Sequence, residues 1–219
     1  MKHYLLATSL LLSGLIGLAQ GNSTTNDPAA TKVLNGVSAK FKTYNSVQAN
    51  FSYKVENASG KALSTKTGTI LMKGTSYKLS FSGLEVYCNG KTVWSYDKAA
   101  KEVTINNLDA SGGTITPQKL FTNFYDKDFY SLLKPDTKVG SKTLQEIQMT
   151  PVDKSKNFHS VVLLIDKSAQ SIYSTKVMEK SGNRYSYTVS SMKTDVAVTD
   201  AMFTFDPKKY PGVMVEDLR

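Results

Sequence analysis

Cys88 and His159 are the residues of this 219-residue chain best suited to nucleophilic or acid–base work, and neither has the company that work needs. Cys88 is the sole cysteine and closes the apolar run "LEVYC" at 84–88, where a strand residue belongs. It reads as a small buried hydrophobe, and with no second cysteine there is no intramolecular disulfide. His159 is the only histidine after His3 and reads as a surface residue at a strand entrance. A Ser-His-Asp triad would use it as base, but no G-x-S-x-G elbow presents a serine. One cysteine and one histidine cannot assemble a zinc site of ordinary spacing, so no metal or cofactor is expected. The two carboxylates of "DKDFY" at 126–130 lack the glycine and the distant glutamate of a calcium loop, and read as solvated turn charge. Among the 18 acidic residues no spacing singles out a pair for glycoside hydrolysis. The expectation is a binding protein, not an enzyme.

The chemistry that does stand out is apolar and aromatic. In "LEVYCNGKTVWSYD", residues 84–97, Asn89-Gly90 reads as a hairpin turn. Trp94, the only tryptophan, and Tyr96 then share one face of the second strand. Upstream, Val47, Ala49, Phe51, Tyr53 and Val55 alternate with Gln48, Asn50, Ser52, Lys54 and Glu56, the period of a half-buried antiparallel strand. Further strands are expected at 62–73, 76–82, 84–89, 91–97 and 101–107, then at 142–151, 158–167, 170–180 and 184–193. Inward positions are read as Ile70, Met72, Tyr77, Leu79, Phe81, Val86, Cys88, Trp94, Tyr96, Val103 and Ile105.

Helices are expected at two places. Asp27 as cap and Pro28 at the first position open one over 28–44, with Val33, Val37, Phe41 and Tyr44 at helical spacing. Pro117 opens a second, aromatic-rich one over 117–125. The fold expected is mainly β: an incomplete, half-open antiparallel barrel of about ten strands, covered by two or three helices and enclosing an apolar cavity.

Charge and the N-terminus bound the setting. The formal charge is +9, yet the lysines are scattered and only two arginines occur, Arg184 and Arg219. Phosphate recognition favours clustered arginine, so no nucleic-acid partner is expected. Lys2 and His3 precede the apolar run "YLLATSLLLSGLIGLAQG". That run is short for a membrane span, and Gly17 and Ala19 are small residues at the places a signal peptidase reads. Residues 1–19 are therefore expected to be a cleaved signal peptide, and 20–219 a single exported domain.

With these elements in place the chain resembles the outer-membrane lipoprotein carrier (LolA-like) family. The resemblance rests on Phe51, "GTILMKG" at 68–74, "NGKTVWSYD" at 89–97, the helix at 117–125, "FTFDP" at 203–207 and "GVMVEDLR" at 212–219. It implies a periplasmic monomer that shields lipoprotein acyl chains. Such a carrier receives cargo from an inner-membrane lipoprotein-releasing ABC transporter and delivers it to an outer-membrane acceptor. The acyl-chain cavity would be lined by Phe41, Phe51, Tyr53, Leu79, Phe81, Trp94, Tyr96, Leu120 and Phe124. One motif departs from the family: Met72-Lys73-Gly74-Thr75 lacks the arginine and proline expected where the lid is held closed. Lys73 is the candidate gating donor in their place. Two further readings stay open: a binder of another lipid or glycolipid, and a non-carrying envelope sensor or interaction domain of the same fold.

Overall fold

A computed structural model of the chain describes residues 25–108 and 128–219. The expected signal peptide and the expected helix at 117–125, with Leu120 and Phe124, lie outside them. The single α-helix of the described residues, α1, spans Pro28–Lys42. The strands are β1 Val47–Glu56, β2 Ala62–Lys73, β3 Ser76–Phe81, β4 Leu84–Cys88, β5 Thr92–Asp97 and β6 Glu102–Asn107. Beyond residue 128 come β7 Phe129–Leu133, β8 Thr137–Val139, β9 Lys142–Pro151, β10 Phe158–Asp166, β11 Ser171–Glu179, β12 Arg184–Thr194 and β13 Met214–Asp217.

They form one sheet in the order β13-β6-β5-β4-β3-β2-β1-β12-β11-β10-β9-β7, with β8 paired to β9 beside this path. Its end strands β13 and β7 are not partners, so the barrel is half-open. The thirteen strands of the described residues exceed the ten or so expected, the additions being β7, β8 and β13. The first two are short pieces, and β13 pairs in parallel with β6, a long-range match that no local pattern announces.

α1 starts where sequence places it. Asp27 caps it, its Oδ1 accepting from the Ala29 amide at 2.8 Å, while Oδ2 accepts from the Leu133 amide at 3.0 Å and ties the helix to β7. Ala30, Leu34 and Val37 fall on one stripe and are buried against Phe129, Ile147, Met149, Val161, Leu163, Ile165 and Ile172. Each large side chain of that set contributes about 1.5–3 kcal/mol by leaving water. A second cluster on the same side of the sheet joins Val47, Ala49, Ile70, Met72, Tyr77 and Cys88 to Phe41 and Tyr44 at the end of the helix. Cys88 is fully buried there, and burial pushes its thiol pKa up, as befits a packing residue. This side is the inner face.

The outer face carries a separate cluster. Tyr87, Tyr96 and Val103 are buried beneath Phe205, with Trp94, Tyr210 and Val213 packed against them. The covering chain runs through two 3-10 turns, Asp200–Phe203 and Pro207–Lys209, into β13. At its centre the buried Glu85 carboxylate accepts from Tyr87 Oη at 2.7 Å and Tyr210 Oη at 3.3 Å, and pairs with Lys98 at 2.9 Å. Burial pushes the Glu85 pKa up, but the Lys98 and Tyr87 hydrogen bonds outweigh it, and the net shift is downward.

The β10–β11 hairpin turns on another buried acid. Asp166 accepts from Lys142 Nζ, from Ser168 Oγ at 2.7 Å, and from the Ser168 and Ala169 amides at 3.1 and 3.0 Å. Lys142 first, then the Ala169 amide and the Ser168 hydroxyl, hold its carboxyl well below the usual carboxylate range. A depressed pKa contributes stability above the unfolded-state value, near 3.8, that is lost as pH falls toward the folded-state value. Asp166→Asn is therefore expected to lower unfolding free energy by about 1–3 kcal/mol at pH 7, with the gap to wild type narrowing below about pH 4. Urea titrations at pH 7 and pH 3 read both.

Candidate functional site

The inner face carries a run of half-buried apolar side chains around β1. From β1 it takes Phe51 and Tyr53, whose cross-strand partners on β12 are Val189 and Tyr187. From β2 and β3 it takes Ile70, Leu79 and Phe81, with Ile70 opposite Leu79 and Gly68 opposite Phe81. The β12 contribution depends on a bulge. Asn50 pairs with Ser191 but Phe51 with Val189, which leaves Ser190 as an extra residue. That single insertion lets Met192 and Val189, an odd number of positions apart, both face inward.

The rings form a continuous surface. Phe51 stacks on Phe81 at 5.8 Å between centroids, and Tyr53 meets Phe81 edge-on at 5.5 Å. Tyr53 lies 4.9 Å from Tyr187 and 6.2 Å from Tyr185. Gly68 makes room for this: a Cβ there would stand 2.5 Å from Phe51 Cζ and 2.9 Å from the Ser80 carbonyl oxygen. Phe51, Tyr53, Leu79 and Phe81 are only half-buried, and Tyr187 is 43% exposed. The buried stripe of α1 covers the β7–β11 side of the inner face and leaves these rings open among the described residues.

The expected lining residues are thus not all together. Phe41, Phe51, Leu79 and Tyr53 share the inner face with Phe81. Trp94 and Tyr96 do not: they lie on the outer face under Phe205 and Tyr210. The reason is parity. Cys88 pairs with Val93 across the hairpin, so inward Cys88 puts Val93 and Ser95 inward and turns Trp94 and Tyr96 out. Val103 and Ile105, opposite Tyr96 and Trp94, go out with them. Conversely Tyr185, Tyr187, Val189 and Met192 are inward residues that the sequence reading leaves unmarked, although Tyr185, Ser186, Tyr187, Thr188 and Val189 alternate plainly.

Nor do the described residues enclose the expected cavity on this side. Between Phe41, Tyr44, Gln170, Ile172 and Met192 there is a hole of only about 10 Å³. Two larger grooves are present. One of about 410 Å³ is lined by Phe51, Gly68, Phe81 and Leu84 together with polar groups such as Asn50, Thr67, Thr69, Ser80 and Lys98. Another of about 320 Å³ runs between Lys78, Tyr87 and the C-terminal chain at Thr199–Tyr210. Among the described residues the inner aromatic surface is an open one.

Residues 42–206 match the family model described as outer membrane lipoprotein carrier protein LolA. The chain belongs to the LolA family. An outer-membrane lipoprotein carrier protein of Pectobacterium carotovorum subsp. carotovorum (strain PC1) is 30% identical over 224 residues, with all of both chains covered. One of Histophilus somni (strain 2336) is 24% identical over 226 residues, covering 100% of this chain and 99% of its own. An uncharacterized conserved protein of Thermus thermophilus shares the fold, with a TM-score of 0.60 at 12% identity over 86% of this chain and 99% of its own. In this LolA-family chain Lys73 Nζ donates to Asp200 Oδ1 at 2.9 Å, linking the β2–β3 hairpin to the C-terminal cover of the outer face. Both partners are well exposed, so the pair is worth at most about 1 kcal/mol.

Proposed function

We propose that this protein is a periplasmic carrier that shields lipoprotein acyl chains on its inner face between inner and outer membrane. Membership of a carrier family supports the role, and one observation carries the location: an apolar sheet face that α1 covers on one side only. The acyl contacts in this reading are Phe41, Phe51, Tyr53, Leu79 and Phe81, joined by Tyr187 and Val189. Leu120 and Phe124 belong to the same proposal. Cargo comes from an inner-membrane lipoprotein-releasing ABC transporter and passes to an outer-membrane acceptor. Export on residues 1–19 with cleavage after Ala19, and action as a monomer, complete it. Lys73, through Asp200, is the proposed gating contact.

Half-buried rings suit a reversible carrier. A ~16-carbon chain offers roughly 10 kcal/mol at about 0.8 kcal/mol per buried methylene. A fully enclosing cavity would retain such a load, whereas an open surface recovers part of that energy and leaves the chain removable. Binding, not bond-making, is the chemistry proposed.

The test is native mass spectrometry of the full chain expressed with its leader and purified from periplasm without detergent. A co-purifying acylated peptide or lipoprotein is expected. A clean ligand-free mass, with no uptake of an offered lipopeptide, overturns the reading.

A further inference from the structure

Tyr53, Tyr185 and Tyr187 stand together on the inner face, yet none belongs to the clusters packed against α1. Tyr53 and Tyr187 are cross-strand partners, and Phe51 and Phe81 flank them. Those flanking phenylalanines show that a plain ring fits this surface. The phenol oxygens therefore add something packing does not need. Tyr185 Oη donates to Glu179 Oε2 at 3.4 Å, but the Tyr53 and Tyr187 hydroxyls have no hydrogen-bond partner among the described residues. Burial pushes both phenols up, so both remain O–H donors across the neutral range.

An acyl chain on a lipoprotein does not arrive as bare hydrocarbon. It is joined through a carbonyl, a group that only accepts hydrogen bonds and is costly to take from water without a donor. We propose that the Tyr53 and Tyr187 hydroxyls donate to the ester carbonyls that join the acyl chains to the cargo's glyceryl-cysteine, while Phe51 and Phe81 take the hydrocarbon. This rests on the carrier reading and adds to it a recognition of the linkage itself. The surface then distinguishes an esterified lipid from an equally greasy one that lacks the carbonyls.

Two probes separate the claims: a peptide carrying dipalmitoyl-S-glycerylcysteine, and the same peptide with dihexadecyl ether chains. The full chain is expected to bind the ester roughly 10-fold more tightly than the ether, the effect of two hydrogen bonds of ordinary net strength. In the Tyr53→Phe/Tyr187→Phe double variant that ratio should fall to within about 2-fold, through loss of ester affinity, while a thermal melt like that of wild type shows the fold intact. Equal affinities in wild type, or a ratio unmoved in the variant, overturn the inference and leave the carrier reading standing. Binding of neither probe by wild type removes both.

Discussion

Phe51→Asp is expected to weaken lipopeptide binding on the order of 100-fold, because a chain laid over that position would have to desolvate a carboxylate with no partner. Phe51 is the centre of the inner aromatic surface: it stacks on Phe81, lies 6.5 Å from Tyr187, and covers the gap left by Gly68. Its side chain is half-buried, so the folded state can hydrate an aspartate there at a modest cost in stability. Fluorescence titration with the diester lipopeptide, alongside a thermal melt, separates the two effects. A folded variant that still binds within a few-fold of wild type would remove Phe51 from the site.

Phe205→Ala should act in the opposite sense, with a large loss of stability and little loss of affinity. Phe205 is 3% exposed and touches three rings, Tyr210 at 4.6 Å, Tyr96 at 5.2 Å and Tyr87 at 5.6 Å. Truncation leaves a cavity over Val103 and loosens the chain that covers the outer face, at a cost of about 3–5 kcal/mol. For a chain of this size that lowers Tm by roughly 10 °C. Trp94 and Tyr96 belong to the same outer cluster, so lipopeptide affinity measured well below the melting point should stay near wild type. If affinity collapses while the fold survives, the outer aromatic cluster takes part in binding after all.

The contrast between these two phenylalanines shows what a sequence can and cannot tell about such a protein. The β1 alternation from Val47 to Val55 names its inward residues outright, since a period of two has one apolar phase. The start of α1 is equally plain from Asp27 and Pro28. Trp94 and Tyr96 defeat the same reasoning because both faces of β5 are covered: Val93 packs inward with Cys88, and Trp94 outward under the C-terminal chain. Apolar character alone then no longer signals direction, and only counting residues across the Cys88–Val93 pair does. The Ser190 bulge breaks the count in β12 for a related reason, since one inserted residue reverses the phase without altering composition. The parallel β6–β13 pairing and the Lys73–Asp200 contact join positions more than a hundred residues apart, where local pattern has nothing to say.

The inner face as the acyl-chain surface is tested most directly by site-specific photocrosslinking. A photoreactive phenylalanine analogue is placed at position 81 or 189 on the inner face, or at position 52 or 69 on the outer face, and a palmitate-labelled lipoprotein is supplied in the periplasm. Label is expected on the chain from positions 81 and 189, and none from 52 and 69. Crosslinking from the outer positions, with 81 and 189 silent, would contradict the assignment and move the cargo to the outer face of the sheet.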